Sequence, residues 1–410
     1  MSRHRFRISR RARLISLGAA LAVTGGLIAV NAGTSQASTL PPVGHVFVIQ
    51  LENKNFDETW GPNSAAPYLS KTLRSQGLLL TQYYGIGHNS LDNYIAQLSG
   101  QSPNAETQAD CQIYSNFVQV NGSASGQVSA AVSASTQAGG VTTQTQVQAS
   151  ASASASTGTA TNGQVIGQGC VYPSQVHTLA GQLSAAGKTW KGYMEDMGTP
   201  CRHPVLNTQD QTQKAQIGDQ YAVRHNPYMY FHEVIDSPDC QKNVVDLNAL
   251  TTDLQQTTTT PNFSYITPNL CSDGHDSPCV DGRPGGLASA DAWLQKWVPV
   301  ITSSPAFQED GMLVITSDES DGPQTDSSAC CGEGPGPNVA LPGLTGLGGG
   351  RIGALVISPH FVQPNSWNDT PYNHYSLLAS IEDLFGLPYL GYAGKPGLPR
   401  FGTDVYNRTN

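Results

Sequence analysis

The sequence has few charged residues, little basic charge and no Cys-x-x-Cys motif. Lys, Arg, Asp and Glu make up 12% of the 410 residues, and the formal net charge is −9. This balance argues against nucleic acid as a partner, because nucleic-acid-binding surfaces are basic. The missing motif argues against the commonest kind of structural zinc site.

Charge is completely lacking between Cys111 and Cys170. Most of residues 122–163 are Ser, Ala, Thr, Gln or Gly. Such a segment buries too little apolar surface to offset the entropy lost on ordering. We therefore expect a low-complexity surface insertion here, although the spaced valines leave an exposed β-hairpin open as an alternative.

The N-terminus is typical of an exported protein. Six arginines precede an uncharged apolar run at residues 14–30, and small residues then lead to Ala37. A membrane anchor is the alternative, but 17 residues rich in Ala and Gly are short for a span. We predict a signal peptide at residues 1–37, a single secreted domain at residues 38–410 and no membrane span after cleavage. Residues 9–13 resemble a twin-arginine export signal without its usual aromatic residue.

Eight cysteines form an even set, which in an exported chain favours disulfides over free thiols. Eight cysteines allow 105 pairings, so the connectivity stays open. We expect the adjacent Cys330 and Cys331 to bond elsewhere than to each other.

Short apolar runs alternate with amphipathic stretches along most of the chain. The predicted strands are residues 45–51, 78–83, 188–194, 263–267, 312–317 and 354–358. The predicted helices are residues 66–76, 90–99, 173–186, 290–302 and 375–385. This alternation predicts an α/β fold with a mostly parallel sheet covered on both faces.

Two predicted strands end in acidic pairs. Glu52 and Asn53 follow the first strand, and Asp318 and Glu319 follow the fifth. Ligands of parallel sheets bind beyond the carboxyl ends of the strands, so both pairs should meet at one edge. Converging carboxylates repel one another unless a cation lies among them, which predicts a divalent metal site. The alternative is that each pair only caps a following helix or turn.

Two further segments place polar side chains at the same edge. Ser90 opens the helix predicted at residues 90–99, where the helix N-terminus offers N–H groups to an anion. A plain N-cap is the alternative for this serine. His275 lies between Asp273 and Asp276 after the fourth strand, an arrangement suited to proton transfer or metal ligation. A surface loop held by nearby cysteines is compatible with that role.

These segments resemble the bacterial phosphoesterases that include acid phosphatases and phospholipases C, within the alkaline-phosphatase-like superfamily. The resemblance extends from about residue 45 to residue 387. Its matching pieces are residues 52–57, 88–94, 224–227, 269–276, 318–320 and 373–376.

The resemblance implies a three-layer, alkaline-phosphatase-like α/β sandwich that binds one divalent metal ion. The identity of the ion stays open among Ca, Mg, Mn, Zn and Fe. The implied metal ligands are Glu52, Asn53, Ser90, Asp318 and Glu319. Ser90 is also the implied nucleophile. His275 is the implied proton donor to the leaving oxygen, and the further catalytic candidates are His88, His225 and His374.

The expected function is an exported phosphomonoesterase that forms a phosphoserine intermediate on a phosphate ester substrate. The alternative enzyme is a phospholipase C-type phosphodiesterase, for which the aromatic residues at 228–231 would supply an apolar rim unless they pack in the core. A non-catalytic exported binding protein is a third possibility. The presence of Ser90 and both acidic pairs disfavours it.

Overall fold

A mostly parallel sheet organises the computed structural model, which describes residues 40–120 and 163–408. These residues belong to one compact unit. The predicted signal peptide at residues 1–37 lies outside the described residues, as does all but the last residue of the predicted insertion at 122–163.

Eight strands form the large sheet among the described residues. They are β1 His45–Leu51, β2 Leu78–Leu80, β3 Trp190–Met194, β4 Val244–Asp246, β5 Phe263–Thr267, β6 Gly311–Ser317, β7 Ala354–Ile357 and β8 Ser366–Asn368. Their order in the sheet is β8-β2-β7-β6-β1-β5-β3-β4. Seven of these strands run in one direction, and β7 alone is antiparallel to its neighbours.

Helices connect the strands and cover the sheet. The α-helices are α1 Phe56–Trp60, α2 Ser90–Ser99, α3 Leu179–Ala185, α4 His232–Ile235, α5 Pro238–Asn243, α6 Leu250–Asp253, α7 Gly286–Thr302, α8 Pro305–Asp310 and α9 His374–Phe385. Three short strand pairs lie outside the sheet: Tyr83–Tyr84 with Tyr372–Asn373, Ile113–Tyr114 with Thr208–Gln209, and Val118–Gln119 with Gly167–Gln168. Within residues 40–120 and 163–408, every helix is too short or too polar to cross a bilayer.

Alternate residues of β1 face two separate apolar cores. Val46 and Val48 pack in the core that also contains the apolar side chains of α2, α3 and α9. Phe47 and Ile49 pack in the core that contains those of α6 and α7. Because side chains alternate along a strand, one buried strand contributes to both layers. The predicted three-layer arrangement of a mostly parallel sheet between helices is confirmed.

The best-predicted elements are the buried ones. Strands β1 and β5 and helix α2 have the predicted bounds. Helix α3 begins six residues later than predicted, where Thr178 caps it by accepting a hydrogen bond from the Gly181 N–H at 3.1 Å. The edge strands β4 and β8 were not predicted. Each has only three residues, and β8 lacks the apolar run that identifies a strand.

All eight cysteines are paired. The disulfides join Cys111 to Cys170, Cys201 to Cys240, Cys271 to Cys279 and Cys330 to Cys331. The expectation that Cys330 and Cys331 bond elsewhere is therefore wrong. The other six cysteines pair among themselves and leave these two neighbours only each other.

We predict that the folded protein, secreted and then denatured without reductant, exposes no reactive thiol. Reduction should release eight thiols per chain, because each cysteine belongs to one of the four disulfides. Thiol titration before and after reduction measures both numbers. Two thiols without reductant would contradict the bond between Cys330 and Cys331.

Candidate active site

The two predicted acidic pairs lie side by side at the carboxyl end of the sheet. Strands β1 and β6 are parallel neighbours, with Leu51 opposite Ser317. The ladder continues past the sheet, since the Asp318 N–H donates to the Leu51 carbonyl at 3.0 Å. Glu52 and Asp318 are both fully buried. The shared register of two adjacent strands thus brings together carboxylates 266 positions apart in sequence.

Asn53 links the two pairs. Its backbone has a φ of +23°, in the left-handed region that asparagine tolerates better than most residues. Its N–H donates to Asp318 Oδ1, and its Nδ2 donates to Glu319 Oε1, both at 2.9 Å. The turn after β1 is therefore shaped around the carboxylates that follow β6.

Ser90 points its hydroxyl at this cluster. Asn89 occupies the N-cap position of α2, and Ser90 is the first helical residue. Its Oγ donates a hydrogen bond to Glu52 Oε2 at 2.9 Å. Tyr94, one turn later, donates its hydroxyl to the other oxygen of Glu52. The hydroxyl of Ser90 thus contacts a buried carboxylate, whereas a helix cap would contact backbone N–H groups.

His225 and Asp273 complete a second group around Glu52. His225 Nδ1 lies 3.1 Å from Asp273 Oδ2, and its Nε2 lies 3.4 Å from Glu52 Oε1. The ring of His225 stacks on Tyr94, with 5.3 Å between centroids. Ligand atoms of Glu52, His225 and Asp273 lie within 4.8 Å of one another, a spacing that suits a metal ion. Asp273 was not predicted among the ligands, although it follows the buried strand β5 closely.

The other predicted histidines differ in exposure and contacts. His275 is the accessible one, with one third of its side chain exposed, and its Nδ1 lies 2.8 Å from Asp276 Oδ1. His374 is fully buried, and both ring nitrogens are occupied: Nε2 lies 2.6 Å from the Asp318 carbonyl oxygen and Nδ1 lies 3.1 Å from the Tyr83 hydroxyl. These contacts suit His374 to positioning Asp318.

His88 is also enclosed. Its Nε2 lies 2.9 Å from the carbonyl oxygen of Asp326, and its Nδ1 contacts Glu319 Oε2. Burial lowers the pKa of His88, and burial lowers that of His374 to about 4. Both imidazoles are therefore neutral near pH 7.

The four buried carboxyl groups of the cluster all have raised pKa values. Burial, followed by the charges of Asp318 and Asp273, raises the pKa of Glu52 well above its ordinary range. Burial likewise raises the pKa of Asp273 and Glu319, and it raises that of Asp318 to about 6. A positive charge among these groups would favour their ionised forms and so lower these pKa values.

The donor atoms fit a divalent cation. Asn53 Oδ1, Asp318 Oδ2 and His225 Nε2 are buried and find no hydrogen-bond partner among the described residues. Buried polar atoms are almost always paired, so three free ones beside four carboxyl groups indicate a ligand. Carboxylate and amide oxygens suit Mg, Ca or Mn, and the imidazole also suits Zn or Fe.

We predict that ionisation of Asp318 destabilises the metal-free protein as the pH rises. A carboxyl whose pKa is higher in the folded chain favours unfolding once it ionises, so the penalty is absent at low pH. For Asp318 it grows between the ordinary pKa of 3.8 and about 6, and it amounts to on the order of 3 kcal/mol. The buried histidines act in the opposite sense, because their lowered pKa values favour folding as the pH rises. The effect of Asp318 is therefore read from the metal-free melting temperature of the wild type minus that of Asp318→Asn, and this difference should be lower at pH 7 than at pH 5.

Added divalent cation should restore the melting temperature at pH 7 more than at pH 5, because it binds the ionised carboxylates. Calorimetry of chelated wild type and Asp318→Asn across this range is the measurement, since both proteins contain the same histidines. A difference in melting temperature between the two that stays constant from pH 5 to pH 7 would contradict the prediction.

The family model described as the Phosphoesterase family matches residues 63–388, which is most of the chain. The chain belongs to this family. The family predicted from the sequence motifs is therefore confirmed.

Curated relatives agree with this membership. The chain is 25% identical over 370 residues to the phosphate-repressible acid phosphatase of Penicillium chrysogenum, covering 88% of this chain and 66% of that protein. It is 23% identical over 393 residues to the phosphatidylinositol-3-phosphatase of Mycobacterium tuberculosis, covering 96% and 94%. The chain thus spans about two thirds of the fungal enzyme and nearly all of the mycobacterial one. Both relatives support the predicted enzyme class, a hydrolase of phosphoric ester bonds.

A solved structure of similar fold is a protein of the alkaline phosphatase superfamily from Vibrio parahaemolyticus. It shares 10% identity with a TM-score of 0.44, over 84% of this chain and 67% of that one. The assignment of the fold class rests on the strand order and the two helical layers.

Proposed function

We propose that this phosphoesterase is an exported, metal-dependent phosphomonoesterase that uses Ser90 as its nucleophile. The observation that carries the proposal is the Ser90 hydroxyl hydrogen-bonded to Glu52 within a cluster of buried carboxylates. The names of the Penicillium and Mycobacterium relatives, both phosphatases, favour a monoester substrate. Export is proposed from the N-terminal arginines and apolar run together with four disulfides.

The residues proposed to hold the metal are Glu52, Asn53, Ser90, Asp318 and Glu319. A bound divalent cation supplies Lewis-acid stabilisation of negative charge and lowers the pKa of a hydroxyl in contact with it. Glu52 accepts the Ser90 hydrogen bond, so its carboxylate is positioned to take the proton of that hydroxyl.

The reaction then has two displacements at phosphorus. Ser90 Oγ gives its proton to Glu52 and forms a bond to phosphorus, while the bond to the ester oxygen breaks and that oxygen takes a proton from His275. Water next attacks the phosphoserine and gives a proton to His275, while the bond from phosphorus to Ser90 Oγ breaks and Oγ takes back the proton held by Glu52, which releases phosphate. Asp273 and Tyr94 keep His225 and Glu52 in place through both steps.

We predict that His275→Gln slows substrates with poor leaving groups more than activated ones. An alkyl phosphate needs a proton on its departing oxygen, whereas p-nitrophenolate leaves without one. We expect a loss of about 10²-fold or more for an alkyl phosphate and a smaller loss for p-nitrophenyl phosphate. Steady-state kinetics with both esters measures the difference.

His177→Gln is a matched control, because His177 also contacts a carboxylate but is 65% exposed and lies outside the site. It should change neither rate. Equal losses on the two esters in His275→Gln would remove His275 from the role of proton donor.

The diesterase alternative loses one of its supports. Residues 228–231, which would have formed an apolar rim, are fully buried in the core beside α2. No other observation among the described residues favours a diester over a monoester.

A hydrolysis panel tests the proposed function. It compares phosphomonoesters, phosphodiesters and phosphatidylcholine, each with and without chelator. We expect fast, chelator-sensitive release of phosphate from monoesters. Faster turnover of diesters or phosphatidylcholine would replace this proposal with the diesterase.

A further inference from the structure

Arg224 is a buried cation at the edge of the site, and its one salt bridge among the described residues is long. Its side chain is 3% exposed. Its Nε lies 3.6 Å from Asp110 Oδ2, and one terminal nitrogen donates to the Gln213 carbonyl at 3.3 Å. The other terminal nitrogen lies 3.3 Å from His275 Nε2. A buried guanidinium normally has a close, bidentate anionic partner, and Arg224 has none within residues 40–120 and 163–408.

The contact with His275 fixes the state of that imidazole. A guanidinium has only donors, so His275 Nε2 must accept the hydrogen bond. The proton of a neutral ring then lies on Nδ1 and is donated to Asp276. Arg224 therefore contacts Nε2, the nitrogen through which His275 is proposed to protonate the leaving oxygen. A neutral nitrogen is a weaker partner for the cation than an anionic oxygen.

Two series of contacts connect Arg224 to Ser90, the proposed nucleophile. On one side, Ser90 contacts Glu52, Glu52 contacts His225, and the His225 ring lies 5.8 Å from the His275 ring that Arg224 contacts. These contacts place the guanidinium on the same side of the site as the two histidines.

On the other side, Asp110 connects Arg224 to the helix of the nucleophile. Asp110 Oδ1 accepts the N–H of Leu91, the residue after Ser90, at 3.0 Å. Its Oδ2 faces the guanidinium. Gln213 donates its side-chain amide to the Asp110 carbonyl at 2.9 Å while its own carbonyl accepts from Arg224. Asp110 thus fixes the guanidinium relative to Ser90.

We propose that Arg224 binds a nonbridging oxygen of the substrate phosphoryl group and makes the site prefer dianionic monoesters over monoanionic diesters, with Asp110 as its positioning residue. This inference rests on the proposed function. The guanidinium exchanges His275 Nε2 for a phosphoryl oxygen when substrate binds, which frees that nitrogen to take up a proton from solvent and pass it to the leaving oxygen. A monoester carries one more negative charge and one more nonbridging oxygen than a diester, so it gains more from the exchange.

The test measures two substrates and one ligand in four variants. The variants are Arg224→Gln, Arg224→Lys, Asp110→Asn and the control Arg202→Gln, whose arginine pairs with Asp219 outside the site. The substrates are p-nitrophenyl phosphate and bis(p-nitrophenyl) phosphate, and the ligand is inorganic phosphate followed by calorimetry. All variants are metal-loaded full chains.

For Arg224→Gln we expect kcat/KM for the monoester to fall at least about tenfold further than that for the diester, and phosphate to bind at least about tenfold more weakly. Both losses should be smaller in Arg224→Lys, because lysine keeps the positive charge but lacks the two-pronged hydrogen-bond geometry of the guanidinium. Asp110→Asn should raise KM for the monoester more than it lowers kcat. Arg202→Gln should behave as wild type.

Equal losses on both esters, or unchanged phosphate binding in Arg224→Gln, would overturn the inference. If Arg224→Gln does not fold, a Lys variant with wild-type discrimination and phosphate affinity would overturn it as well. A wild-type protein that binds phosphate through Arg224 but hydrolyses no monoester would support the inference and overturn the proposed function. The two failures are therefore distinguishable.

Discussion

Replacing Ser90 by Ala is expected to lower turnover of phosphomonoesters at least roughly a thousandfold, as is typical when a covalent nucleophile is removed. The physical reason is the hydrogen bond from Ser90 Oγ to Glu52, which places the hydroxyl beside a proton acceptor within the carboxylate cluster. The variant should fold normally, because Asn89 occupies the N-cap position of α2. Protein quenched in acid during turnover should carry phosphate on Ser90 in the wild type and none in the variant.

A serine that caps a helix and is not among the site residues provides the control. Ser304 is the N-cap of α8, and its Oγ accepts the Phe307 N–H at 3.3 Å. Ser304→Ala should cost on the order of 1 kcal/mol of stability and leave turnover unchanged. Near-normal turnover by Ser90→Ala, or phosphate found on another residue, would overturn the proposed mechanism and leave the fold and family in place.

Removing the metal is expected to have the second largest effect. Dialysis against a strong chelator should lower turnover at least about a hundredfold. The buried carboxylates repel one another unless a cation lies among them, and the cation also stabilises negative charge during the reaction. Asp318→Asn should lower the metal content, since Asp318 supplies a buried oxygen without a hydrogen-bond partner among the described residues. Elemental analysis and kinetics on the same samples measure both effects.

Asp310→Asn is the matched control for this substitution. Asp310 precedes β6, and Asp318 follows it, so the two aspartates flank opposite ends of one strand. Asp310 pairs with His45 at 2.6 Å, far from the cluster in the direction of the strand. Its substitution should leave metal content and turnover unchanged. Full activity in protein shown to be free of metal would rule out the metal requirement.

The chemistry of this site could be predicted where it lies next to a strongly patterned element. Glu52 and Asp318 directly follow apolar strands, and the rule that parallel strands present ligands at their carboxyl ends placed them at one edge. Ser90 was predicted in the same way, from its position at the start of α2. Adjacency in sequence and a regular element were sufficient for these three residues.

The parts that could not be predicted depend on contacts between distant loops. Arg224 and Asp110 are 114 positions apart, and no periodicity in the sequence relates them. The bond between Cys330 and Cys331 could not be inferred either, since it depends on where the other six cysteines lie. The edge strand β8 was missed because its pairing with β2, not its composition, makes it a strand.

The layered α/β architecture, the family and the acidic strand ends could be predicted from the sequence, because hydrophobic periodicity and local motifs are properties of neighbouring residues. Only the folded structure showed that Glu52 is shared by Ser90, Tyr94 and His225, and that Asp110 holds Arg224 beside the site. Those contacts arise from strand register and loop packing, which bring residues far apart in the chain within hydrogen-bond distance. The pattern of residues along the chain indicates which side chains could take part in catalysis. Only the folded structure shows which of those side chains contact one another.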